Sequence, residues 1–387
     1  MKLLSVRVGI YNEPPGGGIG GSEISVAVLA EALASRHQVE IVHHKSCMDQ
    51  ERLGEISDTD LSAVRMRHVR GEPYSFGSTH DPWRRYKEAR AWNADLSEPY
   101  DLFINFTHGF PPFCHARRGA LVVQFPFHER PRSHSRRDRL KTLYHEWEWR
   151  RRMGTYRMKA AISRFSQVWA KRRWGIDCEI IYPPSDTSFQ PGDKKNVILS
   201  VGRFTTTGHS KKQLEMVAAF DELRKSAPCD WDYFSVGGLS DAPEDMAYFQ
   251  SVSRRALDCQ AHAVANADRN RLKRLYEQAK IFWHAAGYGE DGERPELSEH
   301  FGIATVEAMS AGCVPIVINK GGQPEIVEHG ESGFVWDELA ELREYTQLVM
   351  RDEALRVRMA ESARARAALF SREKFVSRFF SMIQEPA

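Results

Sequence analysis

The sequence has no paired cysteines. Its six, Cys47, Cys114, Cys178, Cys229, Cys259 and Cys313, are scattered through 387 residues, and none forms a C-x-x-C pair. Such spacing indicates neither a zinc knuckle nor a redox motif. A chain of this size does not depend on a disulfide framework, and reduced thiols fit a cytosolic setting. No run approaches the roughly 18 apolar residues of a membrane span, so any membrane contact is expected to be peripheral. The opening MKLLSVRVGIYNEPP has a short apolar run broken by Arg7 and reads as a strand, without the apolar core of a signal peptide. A convincing metal-ligand cluster is also lacking, since HDPWRR and NAD have no Asp-x-Asp partner. Net charge is scarce too. A formal +2 excludes a general polyanion binder, and no nucleic-acid partner is expected.

What is present is globular. Apolar content of 42% and charged content of 27% suit a folded chain, and the length suggests two domains. Apolar runs alternate with helical patterns, the signature of a parallel α/β sheet. LLSVRVGIY, QVEIVHH, DLFINF and ALVVQF read as strands. Ser22 is expected to cap the helix EISVAVLAEALASR. KAAISRFSQVWAKRRWG reads as a helix, and the strand CEIIYPP follows it. SFQPGDKK is polar, with Pro and Gly, and is read as the linker. A second block follows: strand NVILSVGRF, helix KQLEMVAAFDELRKS, strand WDYFSVGG, helix RNRLKRLYEQAK and strand IFWHAA. Beyond it come a helix from Gly302 to Ser310 stopped at Gly312, the strand CVPIVIN, and a helix opened by PEIVEHG. The pattern predicts two Rossmann-like α/β domains facing a central cleft. Their expected limits are residues 1–185 and 190–368, with a final helix at about 370–387 packing back on the first.

The stretch SEHFGIATVEAMSAGCVPIVINKGGQPEIV, residues 298–327, concentrates the chemistry. Glu299 and Glu307 are separated by seven residues, which puts them about 80° apart around an ideal helix. If His300-Phe301-Gly302 forms a turn, both carboxylates can border one cleft. The turn's backbone N–H groups, and those opening the helix at Ile303, are unpaired donors at the positive end of a dipole, suited to phosphate. Gly302 allows close backbone approach. Carboxylates suit hydroxyls and repel phosphates, so the set matches a sugar nucleotide. The bland alternative is two surface glutamates flanking a core helix. GRFTTTGHSKK adds Arg203 at a strand's carboxyl end and Lys211 at the next helix, two cations suited to a diphosphate. GGGIGGSE, Gly16 to Glu23, offers further backbone donors, including those of Gly20 and Gly21, before another helix.

With these motifs in order, the sequence resembles the retaining glycosyltransferases of the GT-B fold, family 4. EHFGIATVE is similar to that family's E-x7-E signature. The resemblance implies that Glu299 contacts the sugar and Glu307 the ribose, and that Arg203 and Lys211 neutralise the diphosphate. Lys212 is a one-residue alternative, because TTTGHS lengthens the loop. NKGGQPEIVEHGESGFVW and ISRFSQVWAKRRWG…CEIIYPPSD are similar to flanking segments of the family. Two features depart from it. Where the family often carries a histidine near the reacting sugar, Gln124 stands, with His128 and His108 nearby. The loop GYGEDGERPEL is longer than usual and reads either as an acceptor-side lid or as a solvated loop.

The resemblance implies transfer of a hexose from a nucleoside-diphosphate sugar to an acceptor hydroxyl, with retention and without a metal. The nucleotide sugar is a substrate, and no cofactor is expected. The acceptor, a glycan, a lipid-linked sugar or a small molecule, is expected on the N-terminal domain. One rival is an NAD-dependent oxidoreductase. Gly16, Gly18 and Gly21 satisfy G-x-G-x-x-G, but Pro14-Pro15 separate them from the strand and IVHHKS supplies no ribose-binding acid. The other is a non-catalytic sugar-nucleotide binder of the same fold. From Arg130 to Arg173, 15 Lys/Arg stand against 3 Asp/Glu, with Trp147, Trp149 and Trp169 among them and Trp174 directly after. That stretch reads either as a solvated face with core tryptophans or as a surface for an anionic or lipid-linked acceptor. In the second case the protein would be cytoplasmic and peripheral on the inner face of a membrane.

Overall fold

The computed structural model describes residues 5–12, 20–43, 49–69, 82–127, 139–226 and 230–384. The chain divides into two units, Met1–Pro184 with Phe375–Ala387, and Ser185–Lys374. The described part of the first holds a seven-stranded sheet, β1 (Arg7–Asn12), β2 (Gln38–His43), β3 (Val64–His68), β4 (Leu102–Thr107), β5 (Arg118–Val123), β6 (Met158–Ala161) and β7 (Glu179–Ile180). Its order is β3-β2-β1-β4-β5-β6-β7, and all pairings are parallel. The second unit holds a six-stranded parallel sheet of β8 (Lys195–Val201), β9 (Asp232–Gly237), β10 (Ala261–Ala265), β11 (Ala279–His284), β12 (Val314–Ile318) and β13 (Phe334–Trp336). Its order is β10-β9-β8-β11-β12-β13.

Parallel sheets are covered by helices on both faces, so their strands read as continuous apolar runs. LFINFT in β4 and VPIVI in β12 are buried at every residue. Both sheets are doubly wound. Strand order reverses between β1 and β4 and again between β8 and β11, the switch points at which such sheets bind ligands. The second unit packs Phe220, Tyr233, Trp283 and Trp336 into one core. In the final helix, Arg372–Gln384, Phe375, Phe379, Met382 and Ile383 are buried. Phe379 lies parallel to Phe106 of β4, with ring centroids 6.5 Å apart, so this segment completes the first unit.

Several expectations need correction. Lys159 to Ala161 are not helical: they pair with Leu121 to Val123 in β6, and the helix starts only after Ser163, whose hydroxyl accepts from the Ser166 N–H at 3.0 Å. Ser22 does not cap its helix. Its hydroxyl donates to Asn12 Oδ1 at 2.9 Å, and the helix Gly21–Ala34 begins one residue earlier. PEIVEHG gives only the four-residue helix Gln323–Ile326 before the chain turns through Gly330 and Gly333, both at positive φ, into β13.

The basic stretch is divided where it is described: Arg152 and Arg173 are buried and structural, while Arg150, Arg151, Arg157, Arg164, Lys171 and Arg172 are exposed. Trp149 and Trp174 are core residues packed edge to face, 5.5 Å apart. Arg152 is buried against Glu148 at 2.7 Å and donates to the Pro111 carbonyl at 2.8 Å. Arg173 is also buried and donates to the carbonyls of Pro126 and Phe127. These guanidiniums fasten the loops that leave β4 and β5. Leu143, Trp147, Arg150 and Arg151 of the helix Arg139–Gly154 do face solvent. Residues 130–138 lie outside the described residues.

Candidate functional site

The carboxyl ends of β8 and β11 lie side by side, and the residues that leave them converge on Glu299. β8 is followed directly by Gly202-Arg203. A Cβ on Gly202 would stand 2.5 Å from Lys211 Cγ, so only glycine lets the lysine stem lie flat on the backbone. Lys211 Nζ then meets Glu299 Oε2. The same oxygen faces His284 Nε2, at the end of β11, at 3.3 Å. His209 Nε2 stands 3.9 Å from the other carboxylate oxygen. Lys212 goes elsewhere. At φ +59 it turns away from Lys211 and pairs with Glu290 Oε1 at 2.5 Å. Glu290 belongs to the long acidic loop, whose backbone Lys320 also holds through the Glu290 carbonyl at 2.8 Å.

Burial alone would raise the Glu299 carboxyl. Lys211, the His284 hydrogen bond and His209 outweigh it and hold Glu299 well below the usual carboxylate range. Lys211, with burial second, pushes His209 down to about 4, and burial lowers His284. The arrangement is therefore one lysine cation, one carboxylate and two neutral imidazoles at neutral pH. Arg203 is exposed, and its guanidinium makes no hydrogen bond or ion pair with the described residues.

The turn His300-Phe301-Gly302 is held from behind by residues that a scan for chemistry passes over. Gly302, at φ +130, caps the helix Ile303–Ser310, and a Cβ there would meet Gln323 Nε2 at 2.1 Å. Gln323 donates to the Phe301 carbonyl at 3.0 Å and accepts from Thr305 Oγ1 at 2.9 Å. The pair Gly321-Gly322 lies against the Glu299 and His300 carbonyls, with no space for side chains, and the Gly322 N–H bonds the Glu299 carbonyl at 2.8 Å. That pair therefore buttresses the turn. Thr305 and Val306 donate back to the Gly302 carbonyl, while the N–H groups of Ile303 and Ala304 have no carbonyl within the helix to bond.

Glu307 sits one helical turn beyond. Its carboxylate accepts from Tyr276 Oη at 3.0 Å. Burial, with Asp186 nearby, raises it to about 7, against the pull of Tyr276, Arg372 and Arg269. A carboxyl raised on folding binds its proton more tightly in the folded chain. Its stabilisation is full below the ordinary value near 4.5 and is lost as pH rises through about 7. Denaturant titrations should therefore show wild-type stability falling relative to Glu307→Gln across that window. Parallel stability curves for the two proteins would contradict a buried, proton-binding Glu307.

In the first unit, Asn12, His108 and Gln124 stand at the carboxyl ends of the adjacent strands β1, β4 and β5. Asn12 Nδ2, His108 Nδ1 and Gln124 Nε2 are buried atoms without hydrogen-bond partners among the described residues. Burial lowers His108 to about 4, so it is neutral at pH 7. Asn12 escaped the sequence reading because nothing in YNEPP marks it as more than a strand end. Gly20 needs correction as a free backbone donor, because the Glu23 carboxylate accepts its N–H at 2.9 Å. Gly21 opens the helix, while Gly16, Gly18 and His128 lie outside the described residues.

Known proteins match this chain along most of its length. The model described as Glycosyltransferase Family 4 matches residues 19–189, and that described as Glycosyl transferases group 1 matches residues 185–366. A GDP-Man:Man(3)GlcNAc(2)-PP-Dol alpha-1,2-mannosyltransferase from Dictyostelium discoideum is 28% identical over 232 residues, 56% of this chain and 44% of the relative. Alpha-1,3/1,6-mannosyltransferase ALG2 of Mus musculus is 23% identical over 218 residues, 53% of this chain and 49% of the relative. The aligned part thus spans about half the length of these curated relatives. A glycosyltransferase from Rickettsia africae superimposes with a TM-score of 0.70 at 14% identity, covering 98% of this chain and 99% of the other. Sucrose-phosphate synthase from Thermosynechococcus elongatus gives 0.67 at 18% identity, with 98% of each chain covered. Two doubly wound parallel sheets, the Glu299–Glu307 segment on the second, and family matches that together span residues 19–366 make this chain a member of glycosyltransferase family 4 with the GT-B fold.

Proposed function

We propose that this protein is a retaining glycosyltransferase that moves a hexose from a nucleoside-diphosphate sugar to an acceptor hydroxyl. The observation that carries the proposal is the meeting of Lys211 and Glu299 at the β8/β11 switch point, beside an unengaged Arg203 and the opening turn of the helix at Ile303. Lys211, Arg203 and the helix N–H groups supply positive charge where a departing diphosphate would gather negative charge. Glu299 is the group for the sugar hydroxyls and Glu307 for the ribose. The leaving phosphate takes the acceptor's proton on the same face, so no separate base is needed. The curated relatives named above carry GDP-Man and PP-Dol in one name and mannosyltransferase in both, so GDP-mannose and a diphosphate-linked lipid acceptor are the first substrates to try.

A thermal-shift panel of UDP, GDP, ADP and TDP sugars tests the donor class, since a ligand at 100 times its dissociation constant stabilises by about 2.7 kcal/mol. Donor turnover by the purified protein separates an enzyme from a non-catalytic binder, and binding without transfer or hydrolysis would favour the binder. Because side chains and helix N–H groups supply the charge, transfer is expected to persist in excess EDTA. Complete loss, restored by magnesium or manganese, would reject metal independence.

Glu307→Ala removes the hydrogen bond proposed to the ribose and, above pH 7 where the carboxyl is ionised, should weaken nucleoside-diphosphate binding by about 1.5–3 kcal/mol. Unchanged calorimetric affinity would count against the ribose role. Among the described residues no helix is long and apolar enough to cross a membrane. The exposed Leu143, Trp147, Arg150 and Arg151 suit peripheral contact with an anionic surface. Co-sedimentation at low salt should favour anionic over neutral vesicles, and equal binding to both would leave a soluble acceptor as the better proposal.

A further inference from the structure

His284 belongs to none of the recognised motifs, yet it is the last residue of β11 and is buried beside Glu299. Its Nε2 lies 3.3 Å from Glu299 Oε2. Its Nδ1 is buried and faces no hydrogen-bond partner among the described residues. A proton on Nδ1 would therefore lack an acceptor, whereas one on Nε2 is donated to a carboxylate, which selects the Nε2–H tautomer. Lys211, the other group on that oxygen, is also one of the two cations proposed for the diphosphate. A bound diphosphate would draw the ammonium toward itself and loosen its hold on Glu299. A neutral imidazole is under no such competition.

We propose that His284 is a positioning residue, which holds the Glu299 carboxylate in orientation toward the donor sugar while Lys211 serves the diphosphate. The proposal rests on the glycosyl-transfer reading of this site. Strand β11 fixes the imidazole more firmly than a loop would. The ring acts through Glu299 and needs no contact with the substrate.

The variant His284→Phe keeps an aromatic ring and removes the donor. With whichever nucleotide sugar the thermal-shift panel selects, kcat should fall about 10–100-fold, with the donor KM within about threefold. His284→Gln, which restores an N–H near the place of Nε2, should recover most of that loss. Affinity for the free nucleoside diphosphate should be unchanged in both. Unaltered kcat in His284→Phe, equal losses in the two variants, or a loss confined to KM would each overturn the proposal. Nitrogen-15 spectra of histidine-labelled protein give a second readout that needs no donor. They should show His284 as the neutral Nε2–H tautomer, with its Nε2 resonance moving in Glu299→Gln. An Nδ1–H tautomer, or a resonance indifferent to Glu299→Gln, would also refute it. Absence of transfer by wild-type protein would instead sink the proposed activity, and the spectra would still decide the His284–Glu299 pairing.

Discussion

Replacing both Arg203 and Lys211 by alanine is expected to abolish measurable transfer and to weaken nucleoside-diphosphate binding about 10²–10⁴-fold. Each side chain is placed to give a charge-assisted hydrogen bond worth about 1.5–3 kcal/mol, and about 1.4 kcal/mol is a factor of ten. The single variants should differ in kind. Arg203 is exposed and unengaged, so its loss should weaken diphosphate binding and transfer without lowering stability. Lys211 neutralises Glu299, so Lys211→Ala also leaves a buried carboxylate short of its cation. The sign of the pH effect follows. Glu299 is depressed on folding, so its contribution is present above the ordinary carboxylate range and is lost as pH falls through its lowered value. The stability deficit of Lys211→Ala should accordingly be largest at neutral pH and shrink in acid. Calorimetric titration with UDP and GDP, with urea melts carried from pH 8 down to about pH 2.5, checks both arms. A double variant that binds within threefold of wild type would remove these cations from the diphosphate.

Glu299→Ala is the second large effect. Transfer should slow by about 100–1000-fold, the scale of losing one preorganised electrostatic group, about 2.7–4 kcal/mol. Nucleoside-diphosphate affinity should hold or rise, because Lys211 loses its carboxylate partner and is left free for phosphate. Glu299→Gln separates charge from shape: it keeps a hydrogen-bonding oxygen for His284 or the sugar but cannot balance Lys211. If charge matters in the transition state, Gln should be nearly as slow as Ala. Steady-state rates beside titration with the free diphosphate decide it. A loss that appears in diphosphate affinity, with turnover intact, would move Glu299 from the sugar to the nucleotide.

Much of the architecture was legible because parallel strands buried on both faces are written as unbroken apolar runs. DLFINF, ALVVQF and CVPIVIN were visible for that reason. The strand in KAAISRF was not, because two alanines and a lysine carry no β signal and only pairing with β5 makes them a strand. The basic run from Arg130 to Arg173 could not be apportioned in advance. A guanidinium that fastens a buried loop and one that faces solvent look alike in sequence, and only the contacts of Arg152 and Arg173 distinguish them.

By itself the sequence determined the class of fold, the alternation of strand and helix, and the local geometry of the Glu299–Glu307 segment. All of these depend on neighbours within a few residues. Tertiary structure alone decided which side chains meet. It put Lys211 on Glu299 and Lys212 on Glu290, because a left-handed backbone at Lys212 sends adjacent lysines in different directions. It brought His284 to Glu299 across the acidic loop, and set Gln323 and Gly321-Gly322 behind the turn at Gly302. Those contacts join residues from different strands and loops, and their positions are fixed by the order β8-β11-β12, which brings three separate segments of chain together at the carboxyl ends of neighbouring strands.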